Sequence, residues 1–130
     1  MNNKKESQLN LLKAKFKKGK IEKMDYRDSM YDFHKILFDY SEFIKTTDIK
    51  KIEIIDNNVI MTSREHGIKI ICMKGDVRIA PIETLSSDYY EKNDTQMMYN
   101  LIKNNSTVFD IGANIGWYSI GISAHKKNTN

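Results

Sequence analysis

The stretch from Val108 to Ser123, VFDIGANIGWYSIGIS, changes character halfway along. Val108, Phe109 and Ile111 are apolar on both faces, as in a strand covered by helices on two sides. Gly112 and Gly116 follow, four residues apart, and the apolar spacing beyond them is helical. The pattern predicts a strand over Thr107–Ile111, a glycine turn, and a helix from Ile115 onwards. Gly112 stands where the chain must turn sharply and admit a ligand to its backbone. Gly116 stands where a side chain would obstruct the ligand or the strand–helix contact. The helix start offers free N–H groups and positive potential. Strand–turn–helix corners of this kind hold ligands in doubly wound α/β sheets.

The residue types narrow the ligand. A dinucleotide fingerprint needs G-x-G-x-x-G, but counted from Gly112 its second and third glycines are Asn114 and Trp117. A phosphate-binding loop needs a Lys-Ser/Thr pair after its glycines, and Trp117-Tyr118 stands there instead. Asp110, at the end of the predicted strand, faces the crevice. A carboxylate there suits an ammonium group and not a pyrophosphate.

The run Asp110-Ile111-Gly112-Ala113-Asn114-Ile115-Gly116-Trp117-Tyr118-Ser119 resembles motif I of Rossmann-like S-adenosylmethionine-dependent methyltransferases, and is most similar to that of the FkbM family. The resemblance covers residues 88–123 and includes Tyr90-Glu91 and the amphipathic helix that follows. It implies S-adenosylmethionine as cofactor and methyl transfer to a hydroxyl of a small-molecule or glycan acceptor. Carried over position by position, Asp110 would meet the methionine end of the cofactor through its amino group. Gly112, Ala113, Asn114 and Gly116 would line the turn beneath it. No catalytic base is identified and no metal is implied. Two other classes stay open: a noncatalytic interaction module with a vestigial turn, and a nucleotide-dependent glycan-modifying enzyme such as an epimerase or dehydrogenase.

In folds of this layout the acid for the ribose hydroxyls lies about 20 residues past the glycines, which here falls beyond Asn130. The chain is therefore expected to be the N-terminal part of a methyltransferase, inactive alone. The expected fold class is α/β. A helical segment occupies residues 1–47 and a small β-meander residues 48–86. Residues 87–130 open a Rossmann-like domain, contributing its first strand and helix.

The upstream readings rest on periodicity and turn chemistry. Leu9, Leu12 and Phe16 have helical spacing within a lysine-rich arm that Gly19 is expected to end. Asp25 is a plausible N-cap for one helix of about 20 residues. Its stripe runs Tyr26, Met30, Phe33, Leu37, Tyr40 and Ile44, expected to pack on its own domain instead of forming a dimer seam. The runs IEII, VIMTS, IKIICM and VRIAPI predict four strands, with Pro81 closing the last. The separators Asp56-Asn57-Asn58, Arg64-Glu65-His66-Gly67 and Lys74-Gly75-Asp76 tolerate turns. His34 and His66 are expected at the surface. Asn93 or Asp94 is expected to cap a helix that packs Met97, Met98, Leu101 and Ile102 into the core and ends at Asn104-Asn105.

Composition sets the outer limits. Of 130 residues, 40% are hydrophobic and 29% charged, as in a globular domain. The net charge of +4 is uneven: residues 1–23 carry eight Lys against two Glu, and the remainder is slightly acidic. With no second basic cluster, no nucleic-acid partner is expected, and the arm reads as a solvated helix. No run approaches the 18 or so apolar residues of a membrane span, and no secretory signal is visible. Cys72 stands alone in a strand-like run and reads as a structural thiol. A cytoplasmic protein is the resulting expectation.

Overall fold

The computed structural model describes residues 7–75 and 80–126. The fold is mixed α/β, and the chain divides into two compact units, one ending at Glu42 and one starting at Phe43.

In the first unit, α1 (Gln8–Lys17) and α2 (Lys23–His34) form a helical hairpin. Gly19, at φ +63°, ends α1 as its spacing predicts. The Gly19 and Lys20 N–H groups bond back to Phe16 and Lys15 carbonyls at 2.9 and 3.0 Å, satisfying carbonyls the helix end leaves open. Phe16 stacks on Tyr26 with centroids 4.2 Å apart. The N-cap of α2 is Glu22, not Asp25, which lies in the first turn and complements the helix dipole there. The single long helix expected beyond it is broken. After Lys35 the chain resumes as α3 (Ile36–Phe43) and tightens into a 3-10 turn, Ile44–Thr46. The break is marked by an i→i−3 bond from the Phe38 N–H to the Lys35 carbonyl, 2.9 Å. Nor is the stripe packed as expected: none of these helices buries a residue, and Leu37 is 57% exposed. Ile36, Leu37, Phe38, Tyr40 and Phe43 fall all round α3, so no single face can cover them.

The second unit is built on a three-stranded antiparallel meander. Strands β1 (Ile49–Ile55), β2 (Asn58–Ser63) and β3 (Lys69–Cys72) lie in the order β1-β2-β3. Ile55 pairs with Asn58 across Asp56-Asn57, where Asp56 takes φ +53°. The β-branched runs and the turn residues thus meet the expectation for these three strands. The fourth run departs from it. Asp76–Ile79 lie outside the described residues, and Ala80–Ser87 form helix α4. Pro81 does not close a strand; it sits in the first turn of α4, where a missing N–H costs no helical hydrogen bond. Ile49, Met61 and Leu85 make the core between sheet and α4, with Cys72 packed against it. Burial pushes the Cys72 thiol up, a Met61 backbone hydrogen bond acting in the opposite direction.

Helices α5 (Lys92–Leu101) and α6 (Trp117–His125) complete the unit. Glu91, in the left-handed region, occupies the N-cap of α5, with Asp94 in its first turn. The face that α5 buries is not the expected methionine face. Thr95 and Tyr99 are buried, while Met97 and Leu101 are exposed. Tyr99 fits because Gly121 of α6 leaves room for its ring. The helix ends at Leu101, before Asn104-Asn105.

The predicted strand Thr107–Ile111 is also absent as a paired element. The segment is irregular, and the only sheet among the described residues is the meander. Phe109 is 85% and Ile111 96% exposed. A strand is defined by the neighbour that accepts its hydrogen bonds, and none of the described residues pairs with this one.

Candidate functional site

Residues 110–119 form a turn that delivers the chain into α6. Three positions take positive φ: Gly112 at +81°, Asn114 at +51° and Gly116 at +73°. Glycine enters the left-handed region without steric cost, and asparagine is among the few other residues that tolerate it. Space at Gly112 is not the constraint: among the described residues nothing stands within 4 Å of where its Cβ would lie. A Cβ at Gly116 would meet only Ile120, at 3.4 Å, an ordinary contact. Both glycines are needed for backbone conformation, a reason distinct from the close approach expected of them.

The turn is closed by the Gly116 N–H, which donates to the Ala113 carbonyl at 2.7 Å. Gly116 is the N-cap of α6 and no side chain caps the helix. The first-turn N–H groups of α6 therefore keep their capacity for an acceptor. Half-buried Asp110 accepts a hydrogen bond on Oδ2 from the Ser119 hydroxyl. Its carboxylate is thus fixed near the positive end of the helix. Its Oδ1 makes no hydrogen bond among the described residues. The turn brings Asp110, Gly112, Ala113, Asn114 and Gly116 together within one short loop, as their spacing dictates.

The start of α6 is pinned from α5. The Trp117 indole N–H donates to Thr95 Oγ1 at 3.1 Å, and the Tyr118 hydroxyl donates to Glu91 Oε2 at 2.6 Å. Tyr90 meets Trp117 edge-on, centroids 5.3 Å apart. Burial first, and then the Glu91 hydrogen bond, push the Tyr118 phenol well up.

Two polar features were not legible in the sequence. His66, expected at the surface of a turn, has a side chain only 4% exposed. Its ring meets Tyr99 edge-on at 4.8 Å and His125 at 6.0 Å. The turn folds the imidazole back under α5 and α6, and turn chemistry carries no sign of that. Asp48 is also buried. It accepts from the Ser63 hydroxyl and the Glu65 N–H, each at 2.8 Å, so it ties the start of β1 to the β2–β3 turn. His34 is exposed as expected. Among the described residues no group of three His, Cys, Asp or Glu side chains is placed to hold a metal ion.

The chain matches no known family model, no curated protein and no solved structure.

Proposed function

We propose that residues 108–123 form the cofactor corner of an S-adenosylmethionine-dependent O-methyltransferase of the FkbM type. The observation that carries this reading is the glycine turn itself. Three left-handed residues lead into an uncapped helix N-terminus, with an aspartate carboxylate held at its first turn. These residues suit the methionine end of S-adenosylmethionine. Oδ1 of Asp110 is open to an ammonium group, and the first-turn N–H groups of α6 are open to a carboxylate. The bound cofactor would supply an electrophilic methyl group on a sulfonium. The chain's part is to orient that end of the cofactor, so that methyl and acceptor oxygen meet in line. The acceptor in this reading is a hydroxyl of a glycan or small metabolite, and the setting is the cytoplasm. No helix among the described residues is long and apolar enough to cross a membrane.

Equilibrium dialysis against labelled S-adenosylmethionine and labelled NAD tests the reading. S-adenosylmethionine is expected to be retained weakly, since the ribose contact expected past Asn130 is not part of this stretch, and NAD not at all, because Asn114 and Trp117 replace fingerprint glycines. Retention of NAD alone would favour the dehydrogenase or epimerase class. A second reading draws on one observation, the exposure of Phe109 and Ile111. If this segment docks on a second chain in a noncatalytic module, the chain elutes as a stable dimer and retains neither nucleotide.

A further inference from the structure

A separate cleft of about 70 Å³ lies in the second unit, and Asp48, Glu65, His66, Tyr90, Lys92 and Trp117 line it. Asp48 is buried, and its carboxylate accepts from two neutral donors, the Ser63 hydroxyl and the Glu65 N–H, while the nearby Arg64 guanidinium donates instead to the carbonyls of Ile44, Thr47 and Ile49. Among the described residues Asp48 has no cationic partner. A buried carboxylate without a counter-charge is costly and favours any cation that can reach it. Glu65 adds a second, half-exposed carboxylate, with His66 Nε2 3.6 Å from its Oε1. At the rim of the cleft lies a cation that neither carboxylate uses, the exposed Lys92. Lys92 forms no ion pair with Asp48 or Glu65, and its ammonium lies 3.8 Å over the Tyr89 ring. Lys92 is the first residue of α5, so the positive end of that helix adds to its charge. The aromatic rings of Tyr90 and Trp117, set edge to face, also line the cleft, and aromatic faces attract a cation.

Carboxylates without a cation and an ammonium without an anion, lining one small cleft, select a ligand that carries both opposite charges. We propose that this cleft binds a small zwitterion of the free α-amino acid class. Its ammonium group meets Asp48 and Glu65, and its carboxylate meets Lys92. The volume suits a ligand with a small side chain. The proposal does not rest on the cofactor reading of the glycine turn.

Trp117 lines the cleft and is the only tryptophan of the chain, so its fluorescence reports occupancy directly. Titration with L-alanine is expected to change that fluorescence saturably. Methylammonium chloride and sodium acetate, each carrying one of the two charges, are expected to bind at least about tenfold more weakly. Lys92→Gln is expected to weaken alanine about tenfold while leaving methylammonium unchanged. Glu65→Gln and Asp48→Asn are expected to weaken both. Should Asp48→Asn unfold the turn it anchors, the exposed Lys92 and Glu65 variants still decide. S-adenosylhomocysteine carries the same two charges on a larger molecule and is expected to leave the midpoint of the alanine titration unchanged, even where its own binding at the glycine turn shifts the Trp117 signal. The proposal is overturned if alanine leaves Trp117 unaffected or methylammonium binds as tightly as alanine. It is likewise overturned if Lys92→Gln makes no difference, or if S-adenosylhomocysteine competes for the cleft.

Discussion

Tyr99 on α5 and Gly121 on α6 are packed so closely that a methyl group on residue 121 would overlap the Tyr99 hydroxyl. That hydroxyl is buried and has no hydrogen-bond partner among the described residues. Gly121→Ala therefore sets two effects against each other. Alanine gains about 1 kcal/mol of helix propensity, and overpacking costs about 1–3 kcal/mol. We expect net destabilisation in urea unfolding. Tyr99→Phe removes an unsatisfied polar atom and is expected to be neutral or slightly stabilising. The double variant is expected to recover much of the loss. Additivity of the two changes would show that they do not meet.

The same tyrosine makes stability depend on alkaline pH. Burial first, then Glu65 and Asp48, push its phenol from 10.0 up to about 12. The folded state thus holds the proton more tightly than the unfolded state. The stabilisation is fully present below pH 10 and is lost as pH rises through about 12. One pKa unit corresponds to about 1.4 kcal/mol, so the loss amounts to a few kcal/mol. Urea midpoints taken across this range are expected to fall more steeply for the native chain than for Tyr99→Phe. Parallel profiles would assign the alkaline loss to other groups.

Asp48 anchors the turn that carries His66. Asp48→Ala would leave the Ser63 hydroxyl and the Glu65 N–H without their charged acceptor. Hydrogen bonds to charged groups contribute roughly 1.5–3 kcal/mol each, so a loss of about 3 kcal/mol or more is expected in thermal or urea unfolding. A loss under about 1 kcal/mol would mean that water replaces the carboxylate.

What the sequence makes legible follows from how local each signal is. The three strands of the meander and the Gly19 stop are set by neighbours within a few residues, and their residue types announce them. The end of the run VRIAPI misleads at Ala80–Ile82, where Pro81 suits a helix start as well as a strand end. His66 and Tyr99 are positioned by partners far along the chain, and neither spacing nor propensity records those partners. The residues of the glycine turn are contiguous, so the turn was legible. The strand before it depends on neighbours that the described residues do not supply.

Backbone conformation at the turn is open to a direct check. Gly112 and Gly116 have positive φ and little crowding. Alanine at either position is expected to cost about 1–2 kcal/mol through backbone strain alone. Asn114→Gly is expected to be tolerated, since glycine also takes positive φ. If both alanine variants unfold at the native urea midpoint, the turn does not have this conformation.

Amide chemical shifts of the isotopically labelled chain test most directly the proposal that the turn from Asp110 to Gly116 holds the methionine end of S-adenosylmethionine. With the cofactor added well above the protein concentration, the account predicts shifts concentrated on the amides of Gly112, Ala113, Asn114, Gly116 and Trp117. Asp110→Asn is expected to reduce them, and NAD to leave them unmoved. No shift in this stretch, or equal shifts with NAD, would contradict the account.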